Sequence, residues 1–227
     1  MLIVLNLNII KINNNTMDFT AKKIAFSKLE NTIKRCTKCN LCKNIRNYVV
    51  GEGSLDSKSI FVGEAPGEKE DETGRPFIGN AGKILTKMLN KANLKREDVY
   101  ITNILKCRPP NNRDPLIEEI NSCAPYLIEQ LEILKPKMIV PLGRYSTFFI
   151  LNLFKCENTG RMIEERGRLH KLRVWDSDVF IIPTYHPAAV IYRKDLEKVF
   201  QEDIMKVAQL LSSNHSANKK LDQFFNY

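Results

Sequence analysis

Four short apolar runs, each followed by a stretch of helical pattern, limit what this chain can fold into more than any other feature. They are 59–62, centred on Ile60-Phe61-Val62; 99–104, Val99-Tyr100-Ile101-Thr102-Asn103-Ile104; 138–140, Met138-Ile139-Val140; and 179–182, Val179-Phe180-Ile181-Ile182. Such runs suit strands covered on both faces. Helical segments between them imply a parallel sheet with helices on both sides. The expected fold is therefore α/β, a three-layer α-β-α sandwich around a mainly parallel four-stranded sheet.

The helical segments follow from capping and periodicity. Residues 22–35 read as a short amphipathic helix with Ile24, Leu29 and Ile33 inward. Asn80 can cap a helix whose apolar positions 84, 85, 88, 89 and 92 share a face. Asp114-Pro115 opens another in cap-then-proline order, apolar at 116, 120, 124, 127, 131 and 134. A helix starts at Arg144 after Leu142-Gly143. Tyr185-His186-Pro187 leads to a final one with Leu196, Val199, Phe200, Ile204, Val207 and Leu211 inward. Residues 155–178 read as a small β-hairpin excursion on the surface.

At 227 residues the chain suits one domain, expected over 18–211. Residues 1–17 read as a dispensable extension, a start-site artefact if Met17 is the true first residue, and 212–227 as a polar tail whose Phe224 and Phe225 could dock. No apolar run reaches the ~18–20 residues of a membrane span. The formal charge of +9 favours an anionic partner without choosing one.

Charge distribution says more. Residues 83–113 carry eight Lys or Arg against Glu97 and Asp98, whereas 60–80 carry Glu64, Glu68, Glu70, Asp71 and Glu72 against Lys69 and Arg75. An acidic pocket in a basic surround suits an enzyme that grips a polyanion while working on an uncharged group. The acidic stretch is also a long loop, punctuated by Gly63, Pro66, Gly67, Gly74, Pro76 and Gly79, and the helical pattern resumes only near Asn80. Ordering such a loop at a strand's carboxyl end is costly, and that edge is where α/β sheets bind ligands.

Six cysteines without a secretory signal point to metal ligation or free thiols rather than disulfides. Cys36 and Cys39 stand two residues apart, and Cys107 and Cys123 have fifteen between them. Two such pairs can hold zinc or an iron–sulfur cluster, and spacing alone does not separate these. Arg46 stands where a ferredoxin run from Cys42 would need its next cysteine, so Cys42 and Cys156 read as free thiols.

Residues 60–83, the cysteine set, Asn103 and the His186-Pro187 stretch together resemble the family 4, iron–sulfur uracil-DNA glycosylases, over roughly 30–211. The resemblance implies a structural [4Fe–4S] cluster on Cys36, Cys39, Cys107 and Cys123. It implies Phe77 as the ring that stacks on the base and Asn103 as the amide that reads it. His186 would be the histidine that meets the base O2, with Gly63 and Ala65 lining the site. Taken singly, each has a plainer reading: Phe77 as core, Asn103 as a turn-former, His186 as a satisfied loop histidine.

Two family positions differ here. Gly67 stands where better-known relatives place a tyrosine that rejects thymine, and Glu70 is the candidate to fill that gap. Ala65 stands where they place an aspartate near the sugar, which leaves Glu64 and Glu70 as candidate catalytic carboxylates. Arg108, Arg113, Arg144, Ser146 and Arg193 are expected to take phosphates, and 187–193 to press on the duplex.

These features imply a monofunctional hydrolase acting on uracil-containing DNA, single- or double-stranded, in base excision repair. It is expected to be monomeric, cytoplasmic and nucleoid-associated, with no membrane partner. No lysine stands in the matched positions as a Schiff-base nucleophile. The rival is a non-catalytic iron–sulfur DNA-binding module of the same fold, associated with a polymerase. A P-loop reading of Gly79-Asn80-Ala81-Gly82-Lys83 fails, because Phe77 and Ile84 stand where Gly and Ser or Thr are required. A zinc hydrolase is disfavoured because His170, His186 and His215 have no ligand spacing.

Overall fold

A computed structural model describes residues 17–213. Residues 1–16 and 214–227, including Phe224 and Phe225, lie outside the described residues.

The apolar runs form strands buried along their whole length. They are β2 (Ser59–Gly63), β3 (Tyr100–Asn103) and β4 (Met138–Pro141), with β6 (Ser177–Ile181) buried from Val179 onward. These four are parallel neighbours in the order β3-β2-β4-β6. Alternate residues serve opposite cores. Ile60, Val62, Ile139, Val179 and Ile181 face one cluster, and Phe61, Ile101, Met138, Val140 and Phe180 face the other. Burial on both faces explains why the runs lack polar alternation.

The sheet has six strands and is mixed, which corrects the four-stranded expectation. β1 (Glu52–Gly53) pairs antiparallel with β3, and β5 (His170–Val174) pairs antiparallel with β6. The hairpin expected as a surface excursion over 155–178 is instead this sheet edge. β5 turns at Trp175 and Asp176, both with positive φ, directly into β6.

One face carries α1 (Phe19–Ile33), α4 (Ile117–Leu134) and α5 (Arg144–Leu153). The other carries α3 (Asn80–Lys91), α7 (Pro187–Tyr192) and α8 (Leu196–Ser213). Asp18 caps α1 by accepting from Ala21 N at 2.7 Å. Phe26, Leu29 and Ile33 are buried, while Ile24, expected inward, is 54% exposed, because five residues place it about 140° round the helix from Leu29. α4 begins at Ile117, two residues later than the proline signal implied. Leu116 precedes it as the exposed cap, and Glu119 accepts from Leu116 N at 2.8 Å.

Two departures concern the functional edge. The acidic loop contains a helix, α2 (Glu68–Thr73), between Gly67 and the left-handed Gly74. The expected single last helix is divided, with α7 and α8 separated at Arg193–Asp195. α8 continues through Ser213, past the expected boundary at 211. Between α5 and β5 lies the one-turn α6 (Met162–Glu165). No helix among the described residues is long and apolar enough to cross a membrane.

Candidate functional site

The carboxyl ends of β2 and β3 lie side by side, with Gly63 opposite Asn103 in register. Above them opens a cavity of about 440 Å³. Glu64, Glu70, Phe77, Asn103 and His186 all line it. Three strand ends and the loop after β2 therefore converge on one slot.

Gly63 makes this convergence possible. A β-carbon there would lie 2.2 Å from Asn103 Oδ1 and 2.4 Å from the Phe77 ring. Gly143 does the same for the histidine. With φ of +88° it sits where a β-carbon would be 2.8 Å from His186 Cβ. The slot floor is thus assembled from side chains crossing over bare backbone.

Asn103 is 1% exposed, and its Oδ1 has no hydrogen-bond partner among the described residues. An unsatisfied buried amide oxygen costs about 1–3 kcal/mol, so it marks a place where a ligand donor would be bound. The amide offers that acceptor together with an N–H donor. Phe77 is 6% exposed with a φ of +50°, and its ring lies 5.7 Å from the His186 ring at an interplanar angle of 37°.

His186 caps α7. Its Nδ1 accepts from Ala188 N at 3.2 Å, which in the neutral ring leaves the proton on Nε2. Desolvation drives its pKa down to about 4, only partly opposed by the charge of Glu70. The imidazole is therefore neutral at physiological pH and can donate a hydrogen bond without carrying a charge.

The two candidate carboxylates differ in setting. Glu64 is pushed up to about 7, first by desolvation and then by Asp114, with Arg144 opposing. Glu70 is pinned: its Oε1 accepts from Ile78 N and Gly79 N, each at 2.8 Å. Its Oε2 lies where a side chain at Gly67 would enter, 2.8 Å from the β-carbon position. The other loop acids turn elsewhere. Asp71 is buried and accepts from Arg46 N at 3.0 Å, Glu72 pairs with Lys69 and Arg46, and Glu68 faces Arg108 at 3.8 Å. So α2, a run with no apolar periodicity, is held by its acids rather than by a core face.

The expected phosphate contacts are placed unevenly. Arg113 lines the slot but makes a bidentate pair with Glu119 at 2.6 and 2.9 Å. Arg108 donates to Asn112 Oδ1 at 2.8 Å. Arg144 is exposed over the Tyr145 ring, and Arg193 is exposed and paired with Asp195 at 2.6 Å. Ser146 is not on the rim. It is fully buried, and its hydroxyl donates at 2.7 Å to Leu142 O, just before α5. Residues that carry no signal in the sequence also line the slot, including Asn112, which has a φ of +54°. Tyr192 stands at its rim, 86% exposed. It belongs to the 187–193 stretch expected to press on the duplex.

Cys36, Cys39, Cys107 and Cys123 come together around a second, small cavity behind β3. Ile33, Leu41, Tyr48 and Tyr126 enclose it, and Cys42 also borders it. Lys106 N donates to Cys123 Sγ at 3.2 Å and Lys38 N to Cys36 Sγ at 3.5 Å, contacts that suit thiolates. Cys42 Sγ donates to Cys39 O at 3.2 Å, and Cys156 lies elsewhere. Among the described residues no group of three or more His, Cys, Asp or Glu is arranged to hold a single metal ion. The four sulfurs nonetheless share one enclosed space, and the donor set is one that suits a cluster.

The fold and the slot define an α/β protein with a polar cavity, lined by an aromatic ring, an amide and an imidazole, at the carboxyl edge of its sheet. Residues 50–208 match the family model described as the uracil DNA glycosylase superfamily. The chain is 47% identical over 195 residues to the type-4 uracil-DNA glycosylase of Archaeoglobus fulgidus, covering 86% of this chain and 94% of that one. It is 46% identical over 184 residues to the type-4 uracil-DNA glycosylase of Saccharolobus solfataricus, covering 80% and 84%. The type-4 enzyme of Sulfurisphaera tokodaii is 44% identical over 187 residues, covering 82% and 84%. This chain belongs to the uracil DNA glycosylase superfamily, in its type-4 branch.

Proposed function

We propose that the chain is a monofunctional uracil-DNA glycosylase, which takes a uracil out of the base stack and hydrolyses its N-glycosidic bond. The observation that carries this reading is the meeting of Phe77, the unpartnered Asn103 amide and neutral His186 in one slot. Phe77 stacks on the ring. Asn103 Oδ1 accepts from uracil N3–H, and the same amide donates to O4. Cytosine presents a donor at that position and an acceptor at N3, so it would leave buried groups unpaired.

As the C1′–N1 bond breaks, its electron pair leaves with uracil and charge builds on O2. His186 Nε2–H donates to that oxygen and keeps its proton, a contribution worth ~3–4 kcal/mol, or 10²–10³ in rate, for one donor of this kind. Water adds to C1′ and loses a proton, which Glu64 accepts when ionised. Glu70 fills the space beside Gly67, where the thymine methyl would point. Arg108, Arg113, Arg144 and Arg193 flank the slot and suit backbone phosphates once their carboxylate partners are exchanged.

Cys36, Cys39, Cys107 and Cys123 would hold a [4Fe–4S] cluster. It would supply a covalent tie between the segment after α1, the loop after β3 and α4, with no part in the hydrolysis.

The test is incubation with an oligonucleotide containing one uracil, followed by alkali to cleave abasic sites. His186→Ala and Asn103→Ala should each lower release at least a hundredfold. Parental rates from both would refute the pocket. Duplex binding by the parent without release would favour the non-catalytic module.

A further inference from the structure

The stacking ring sits on backbone that is costly to hold. Phe77 has a φ of +50°, a region bulky residues rarely occupy. Its carbonyl is packed so tightly that a β-carbon at Gly82 would lie 1.8 Å from the oxygen. Something must fix this peptide, because a relaxed φ would swing the ring out of the slot.

Arg96 is the group that does so from outside the slot. It stands on the single 3-10 turn Arg96–Asp98 before β3, with its side chain 15% exposed. One Nη donates to Phe77 O at 2.9 Å, and the other makes a short contact with Pro76 O. Its Nε donates to Glu52 Oε1 at 3.0 Å, and Glu52 is in turn held by Arg75 at 2.6 Å. From the opposite side Glu70 takes the N–H groups of Ile78 and Gly79. The carbonyls at and before Phe77 are thus gripped by a cation, and the N–H groups after it by an anion.

We infer that Arg96 is a positioning residue for base recognition, clamping the Phe77 peptide so that the ring faces the flipped base. The planar guanidinium reaches two carbonyls and a carboxylate at once, which an ammonium cannot do. The inference rests on the proposed uracil reaction, but it acts through Phe77 alone, and this separates it from a general stabilising ion pair.

A double-mutant cycle on uracil release tests it. Arg96→Met should lower kcat/KM about tenfold in the parent and less than twofold in a Phe77→Ala background. Arg96→Lys should stay within threefold of Arg96→Met. Glu52→Gln, which only loosens the arginine, should give a smaller loss with the same dependence on Phe77, and it stands in if Arg96→Met does not fold. Equal losses in both backgrounds, or none in the parent, would overturn the inference. Hydrogen exchange without DNA gives an independent readout. The Ile78 and Gly79 amides should exchange at least tenfold faster in Arg96→Met, and unchanged exchange would overturn the clamp. A parent that releases no uracil would refute the proposed reaction, leaving the exchange result to decide the clamp.

Discussion

Glu64 is a slot side chain whose charge changes within the physiological range. Desolvation and Asp114 raise it to about 7, so it is neutral below that value and charged above it. If its carboxylate takes the proton of water, kcat should rise roughly tenfold per pH unit up to about pH 7 and then level off. His186, held near 4, adds no limb above about pH 5. A pH–rate profile checks this: Glu64→Gln should be slow and flat, and an unchanged profile in that variant would assign the base elsewhere. Stability runs the other way. A carboxyl whose folded pKa exceeds its unfolded one favours the folded state below about 4.5, and this contribution is lost as pH rises through 7. Relative to the parent, Glu64→Gln should therefore gain stability between pH 5 and 8, by at most about 3 kcal/mol. Denaturant titrations at the two pH values measure that gain.

Phe77, Asn103 and His186 were singled out by the family resemblance, since each taken singly has a plainer reading, and the structure brings the three to one slot. The places of Ser146 and Arg96 were not legible in the sequence. A serine hydroxyl can face inward to a carbonyl of the turn before its helix, and an arginine can spend its charge on backbone; neither choice leaves a mark in local sequence.

The strands buried on both faces were readable because their apolar runs are too short for helices, rich in β-branched residues and separated by helical patterns. The edges were not. β1 is two residues long, and β5 alternates His, Lys, Leu, Arg and Val as a surface segment would. α2 leaves no periodic signal because its residues, Glu-Lys-Glu-Asp-Glu-Thr, bury only Asp71. In α1 the stripe Phe26, Leu29 and Ile33 is the buried face and Ile24 lies off it, and this gives a simple test. Leu29→Ala, at 2% exposure, should cost about 2–5 kcal/mol, whereas Ile24→Ala should change stability by less than about 0.5 kcal/mol. Urea denaturation of the two variants reads the difference. Equal losses would mean that the helix presents the face its periodicity first implied.

Taken whole, the molecule sets its two unusual sites on either side of one strand end. β3 ends at Asn103 in the slot, and four residues later Cys107 reaches the cysteine cavity. Between them Lys106, wholly buried, donates to Asn103 O at 2.6 Å, to Thr102 Oγ1 at 2.7 Å and to Gln130 Oε1 at 2.8 Å. Disturbing the cysteines should therefore reach the slot through a very short path. If they hold a [4Fe–4S] cluster, the purified protein should be brown. Cys107→Ser should lose that colour and melt several degrees lower, as absorbance and calorimetry would show; a colourless parent containing zinc would refute the cluster. A fold-level pattern could not reveal this adjacency, which depends on how the loop after β3 turns back on α4.

The most direct test of a single uracil-clasping slot is single-turnover release of uracil by Gly63→Ala. The added methyl would collide with Asn103 Oδ1 and the Phe77 ring and force them apart, while removing no functional group from the chain. Release should fall at least a hundredfold, with the melting temperature within a few degrees of the parent. Release at the parental rate by a folded Gly63→Ala protein would mean that the base is held somewhere else.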